Sequence, residues 1–156
     1  MTFFDVNPFI LYSSSSDRLK HWKELRHELS TLDDQNAMAM VAEYWSYAPL
    51  SNFSYNPEAP EEWPTPWEMV SRGQWCRLML AAAMEFTLRL SGWDSDRMKL
   101  IYFRDYNISE EVFVLKIDDR YALNYSNREV VDYPDTEQVV MGCWQFIDKN
   151  YTKIDS

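Results

Sequence analysis

A chain of 156 residues that is 46% hydrophobic and holds only three glycines is long enough to bury a core and too apolar to remain disordered. Its net charge of -10 opposes a phosphate backbone, so nucleic acid is not an expected partner. Two cysteines far apart in sequence and two histidines show no metal-ligand spacing, and neither a metal nor another cofactor is expected.

Seven Trp, ten Tyr and eight Phe are more aromatic surface than one core readily absorbs, which points to some of it facing a partner protein. The opening MTFFDVNPFILYSSSS lacks the early basic residues and small-residue cleavage site of a signal peptide. Two thiols and no secretory start place the chain in a reducing compartment such as a cytoplasm. The expected organisation is a single domain over 1–156 with an N-terminal arm over residues 1–12.

In that arm Asn7-Pro8 marks a turn, and the serines at 13–16 form a short loop. Ser16 or Asp17 can cap a helix over 17–29, in which Leu19, Trp22, Leu25 and Leu29 share one face. His21 and His27 fall off that stripe and are expected to face solvent. Asp33 and Asp34 start a second helix that runs to about Tyr47, with Ala37, Met40, Val41, Tyr44 and Trp45 inward and Pro49 ending it. Residues 49–66 form a long loop that needs a role or a clamp. Either Phe53, Tyr55, Trp63 and Trp67 make a binding lip, or the Trp-Pro pairs cover the end of the helix that follows.

That helix is the centre of the chain. Pro64 and Pro66 delay helix until about Pro66, and Gly73 allows a break. Residues 74–90 hold no proline or glycine and are apolar all round, which predicts one buried central helix closed by Ser91 and Gly92. Arg77, Glu85 and Arg89 make the same run a poor membrane span, so no membrane partner is expected. Cys76 falls in the predicted first turn, where free amide hydrogens and the helix dipole favour an anion; a small core residue is the plainer reading.

After Gly92 the period changes to that of strands, over 97–103, 111–117 and 120–126, with Asp118-Asp119 joining the last two as a hairpin. A weaker strand covers 129–132. Asp135 and Gln138 have capping-box spacing and predict a final helix with Val139, Val140, Cys143, Phe146 and Ile147 inward. The fold class is α+β: N-terminal helices and a buried central helix on a small antiparallel sheet, followed by a C-terminal helix.

The run GQWCRLMLAAAMEFTLRLSG, within a span of roughly 63–126, resembles the core segment of transglutaminase-like proteins, relatives of the papain-like thiol enzymes. Gly73, Cys76, Ala81 to Ala83, Leu88, Arg89 and Gly92 carry the resemblance. It implies Cys76 as nucleophile, a histidine near 111–113 and an orienting acid near Asn124. No histidine occupies 111–113, so the resemblance implies a degenerate site. The WPTPWE stretch and the aromatic richness are also similar to uncharacterised proteins of tailed bacteriophages, which implies a head-tail or tail component, in host cytoplasm or virion, with other virion proteins as partners.

Three functions follow as expectations. The first is a non-catalytic protein-binding module. The alternative is an active thiol amidase, protease or acyl transferase using Cys76, Asn124 and His21 or His27. The third, an acidic mimic, rests on net charge alone, although the charges are scattered in short pairs typical of a solvated face.

Overall fold

The computed structural model describes residues 2–52 and 54–155. Helices α1 (Pro8–Leu11), α2 (Ser15–Leu29), α3 (Asp34–Ser46), α4 (Pro66–Arg72) and α5 (Leu80–Leu90) precede strands β1 (Met98–Asp105), β2 (Glu110–Ile117), β3 (Tyr121–Leu123), β4 (Val131–Asp132), β5 (Gln138–Ile147) and β6 (Asn150–Lys153). The strands form one antiparallel sheet in the order β4-β3-β2-β1-β5-β6. The α+β expectation therefore holds, with α5 packed on β1 and β2 and flanked by α2, α3 and α4.

Local chemistry sets the helix starts. Ser14 Oγ accepts the Asp17 amide at 3.2 Å to cap α2, and Asp33 accepts the Asn36 amide at 2.9 Å to cap α3. Thr65 caps α4, Pro66 occupies its first turn, and Gly73 closes it in the left-handed conformation at φ 73. Trp22, Leu25 and Leu29 are buried on α2, and Ala37, Met40, Val41, Tyr44 and Trp45 on α3, as their helical spacing predicts.

Helix α5 is buried from Leu80 to Leu88, which no amphipathic surface helix could be. Its one buried hydroxyl is a junction. Thr87 Oγ1 accepts both the Trp22 and Trp45 indole N–H groups at 3.1 Å and donates to the Ala83 carbonyl at 2.7 Å. Helices α2 and α3 are thus tied to the central helix through a single oxygen.

Part of the N-terminal segment packs on the body, while Ile10 and Leu11 of α1 stay exposed. Phe9 is buried, and the Phe3 and Phe4 amides each donate to the buried Glu43 carboxylate at 2.9 Å. Bonds to a charged acceptor contribute about 1.5–3 kcal/mol each, so Glu43→Ala is expected to cost about 2 kcal/mol or more in urea unfolding and to expose the arm to limited proteolysis.

Two predicted helices are corrected. The run 74–90 is not one helix: residues 74–79 are irregular and α5 begins only at Leu80. The backbone of Trp75 is pulled out of register by the 49–51 segment, where the Pro49 carbonyl accepts the Trp75 amide at 2.9 Å and the Ser51 amide donates to the Trp75 carbonyl at 3.0 Å. The predicted C-terminal helix is instead β5 followed by β6. Val139 and Val140 are exposed, and only Cys143 of the expected inward set is buried. Two adjacent valines and a mid-segment glycine disfavour helix, and β1 would otherwise lack a neighbour on that side. The capping-box residue Gln138 instead accepts the Tyr133 hydroxyl at 2.7 Å.

Two details fix the sheet. The register of β1 against β5 skips Met141, pairing Tyr102 with Gly142 and Phe103 with Val140. At this bulge a Cβ on Gly142 would stand 2.2 Å from the Trp144 ring, so only glycine fits. The β2–β3 hairpin turns through Asp118 and Asp119, both at φ 54, and the β5–β6 hairpin through Asp148 and Lys149, at φ 49 and 68. One sheet face carries Leu100, Phe113, Leu115 and Trp144 against the helices; the other buries Ile101, Phe103, Val112, Val114 and Cys143 under Tyr125, Tyr133 and Ile154.

Candidate active site and aromatic cleft

Cys76 lies between the Trp75 bridge and the turn that leads into α5, in which the Leu80 amide donates to the Arg77 carbonyl at 3.3 Å. It is four residues before the helix, not within its first turn as the sequence predicted. Trp75 holds this segment from both directions, since its indole N–H donates to the Met69 carbonyl at 2.7 Å at the end of α4. The Cys76 side chain is buried and, among the described residues, its sulfur has no hydrogen-bond partner.

Asn124 comes close to this segment but is engaged elsewhere. Its side-chain amide donates to the Arg77 carbonyl at 3.1 Å and to the Phe113 carbonyl at 2.9 Å, stitching the turn after Cys76 to β2. The backbone of Asn124 is left-handed at φ 70, a conformation asparagine adopts more readily than most residues. Both amide hydrogens serve backbone carbonyls, which fixes the side chain between the turn after Cys76 and β2.

The strand positions where the resemblance implies a histidine hold other chemistry. Glu111 accepts a short hydrogen bond from the Tyr102 hydroxyl, Val112 points to the far face of the sheet, and Phe113 is wholly buried. The Phe113 ring sits among Trp63, Trp144 and Tyr102 at centroid distances of 5.7, 6.1 and 6.2 Å. An aromatic cluster thus surrounds the strand position where the resemblance implies a base.

His27 is exposed, as expected. His21 is not: it is half-buried, stacked on Tyr12 at 4.2 Å and 18°, with Tyr44 at 5.9 Å. The short arm folds back over α2 and covers a position that helical spacing alone assigned to solvent. Burial lowers the His21 pKa, with Glu24 and Glu28 opposing the shift. A lowered folded value means that stability is complete above the unfolded histidine value of about 6.5 and is lost as pH falls from there through the folded value. Thermal unfolding should therefore show a loss below about pH 6.5 that His21→Phe removes. Among the described residues, neither histidine is within hydrogen-bonding distance of the Cys76 sulfur. Cys143 is a core residue on the far face of the sheet, its thiol pKa raised by burial.

The four residues of the predicted lip divide. Phe53 lies outside the described residues. Tyr55 packs on Trp75 at 5.7 Å, facing a shallow depression between α2 and α4. Trp63 and Trp67 instead line a separate cleft of about 540 Å³, floored by Met79 and by Ala82 and Phe86 of α5 and closed by Phe146 and Tyr151 of the β5–β6 hairpin. Trp63 is half-buried, donates to the Asn56 carbonyl at 3.0 Å and packs on Tyr151 at 5.0 Å, whereas Trp67 is 53% exposed. Cys76 does not line this cleft. Sequence reading missed the β5–β6 wall, although Asp148-Lys149-Asn150 between aromatic residues is a turn signal.

Beneath the cleft, Glu85 pairs with Arg89 at 3.1 Å and accepts the Tyr151 hydroxyl at 2.7 Å, while the Arg89 guanidinium lies 3.5 Å over the Phe146 ring. Burial raises the Glu85 pKa despite these partners. Among the described residues no cluster of three or more His, Cys, Asp or Glu side chains could hold a metal ion, and no helix is long and apolar enough to cross a membrane.

The chain sets a cysteine ahead of a buried helix that is backed by an antiparallel sheet. The sequence matches no protein-family model and no curated relative. Among solved structures, calcium-bound LapG of Legionella pneumophila aligns with a TM-score of 0.67 at 17% identity, over 92% of this chain and 83% of that one. A second structure of L. pneumophila LapG gives 0.66 at 17% identity over 86% and 76%, and an EGTA-treated form gives 0.65 at 18% over 84% and 77%. At these identities the likeness is one of fold.

Proposed function

We propose that this chain is a non-catalytic protein-binding module on a transglutaminase-like fold. The observation that carries the reading is the surroundings of Cys76: a buried sulfur with no imidazole within hydrogen-bonding distance among the described residues. A missing general base costs roughly 10²- to 10⁴-fold in rate, and an aromatic cluster surrounds the strand position where the resemblance implies that base. The half-exposed aromatic residues around the cleft supply a contact surface in its place. The virion setting implied by the WPTPWE resemblance makes another virion protein the partner, and mass spectrometry of purified particles tests it.

Alkylation tests the chemistry. At pH 6, iodoacetamide is expected to label Cys76 no faster than a free thiol, with a Cys76→Ser variant identifying the labelled site. Fast labelling confined to Cys76 would restore the reading of an active thiol enzyme.

A further inference from the structure

Strand β6 is an edge of the sheet, and it borders the aromatic cleft. In the two-residue β5–β6 hairpin, Ile147 pairs with Asn150 next to the turn, and farther along the Ile154 amide donates to the Cys143 carbonyl at 2.8 Å. The alternation of an antiparallel ladder then turns the backbone N–H and C=O groups of Tyr151 and Lys153 away from β5. Among the described residues nothing pairs with them on that side. An open row of donors and acceptors beside a concave aromatic wall is the arrangement that accepts an added strand, with backbone bonds supplying affinity and the wall selecting a side chain.

The charges choose the strand. Lys149 and Tyr151 line the cleft, and Lys153 lies on the same sheet face, its ammonium 6.0 Å from the Trp144 ring. Neither lysine has an ion-pair partner among the described residues, although the chain as a whole is acidic. Tyr151 and Lys153 thus share one face of β6, and Lys149, in the hairpin turn, lines the same cleft, so the aromatic position is flanked by a cation on each side. A second copy of this chain pairing edge to edge about Tyr151 would set Lys149 against Lys153, like charge on like charge, which disfavours a symmetric dimer.

We propose that the β6 edge binds an extended peptide segment of a partner protein, with an aromatic residue opposite Tyr151 seated in the Trp63–Trp67 cleft and acidic residues two positions to either side, one opposite Lys153 and one beside the turn residue Lys149. This deepens, and rests on, the reading of the chain as a protein-binding module. Trp67, more than half exposed at the cleft mouth, becomes the outer wall for the inserted ring.

The probe is a fluorescein-labelled peptide of sequence Glu-Thr-Trp-Thr-Glu, followed by anisotropy against the full chain at low salt. Three comparisons accompany it: a Lys-Thr-Trp-Thr-Lys peptide, a peptide N-methylated at the tryptophan, and the double variant Lys149→Glu with Lys153→Glu, both exposed residues whose replacement leaves the core untouched. The acidic peptide is expected to bind saturably, the N-methylated one to lose binding, and the double variant to weaken the acidic peptide about tenfold and prefer the basic one. Equal binding of both peptides, indifference to N-methylation, or no saturable binding would overturn the proposal. Such a failure with slow alkylation of Cys76 removes the edge site and leaves the non-catalytic reading intact. Fast alkylation together with peptide binding removes the non-catalytic reading and leaves the edge site.

Discussion

Thr87→Val is expected to cost about 2–6 kcal/mol in urea unfolding, because it strands two buried indole donors at about 1–3 kcal/mol each. The shape of the side chain is nearly conserved, so cavity formation contributes little. Trp22, Trp45 and Thr87 are all at 0% exposure, and no water can reach the freed N–H groups without opening the interface. Thr87→Ser keeps the hydroxyl and removes only a methyl group, which should cost about 1 kcal/mol. Equal losses for valine and serine would show that packing, and not the shared acceptor, holds α2 and α3 to α5.

Arg89→Met is expected to destabilise by about 3–5 kcal/mol near neutral pH, since it leaves the Glu85 carboxylate buried with only the Tyr151 hydroxyl as partner. The linkage has a definite sign. The folded Glu85 pKa is already raised by burial, and loss of the guanidinium removes the opposing influence and raises it further. A carboxyl whose folded value is raised adds stability below the unfolded value and loses it as pH rises through the folded value. The variant should therefore recover part of its deficit on moderate acidification, and Glu85→Gln in the Arg89→Met background should make the deficit independent of pH in that range. A deficit that does not change with pH in Arg89→Met alone would mean that Glu85 is solvated.

How far the sequence reveals this molecule depends on whether the deciding contact is local. The Trp22, Leu25 and Leu29 stripe and the continuous apolar run of β2 are each contained within one element, and both elements lie where their patterns put them. Residues 138–147 were misread because Val139, Val140, Cys143, Phe146 and Ile147 also recur at helical spacing, while their partner, β1, is distant in sequence. Gly142 and the paired valines were the local signals against helix. The interruption at 74–79 had no local signal after Gly73, because it is imposed by backbone bonds to Pro49 and Ser51. Around Cys76, the absence of a histidine from residues 111–113 was legible in the sequence. The engagement of Asn124 with Arg77 and Phe113 was not, since a side-chain amide carries no mark of which carbonyls it will meet.

The position of β5 has a kinetic consequence. It lies between β1 and the edge strand β6, with Leu100 opposite Trp144, so a strand formed from residues 138–147 fills an interior slot beside one formed from residues 98–105. Until that late segment arrives, β1 exposes an unpaired flank, and the Trp144 ring is missing from beneath the helices. Pairing so distant in sequence carries a loop-closure cost before any contact rewards it, and chains rich in such pairings fold slowly. A nascent chain halted before residue 138 would hold the helices over an unfinished sheet whose bare flank is open to intermolecular strand pairing.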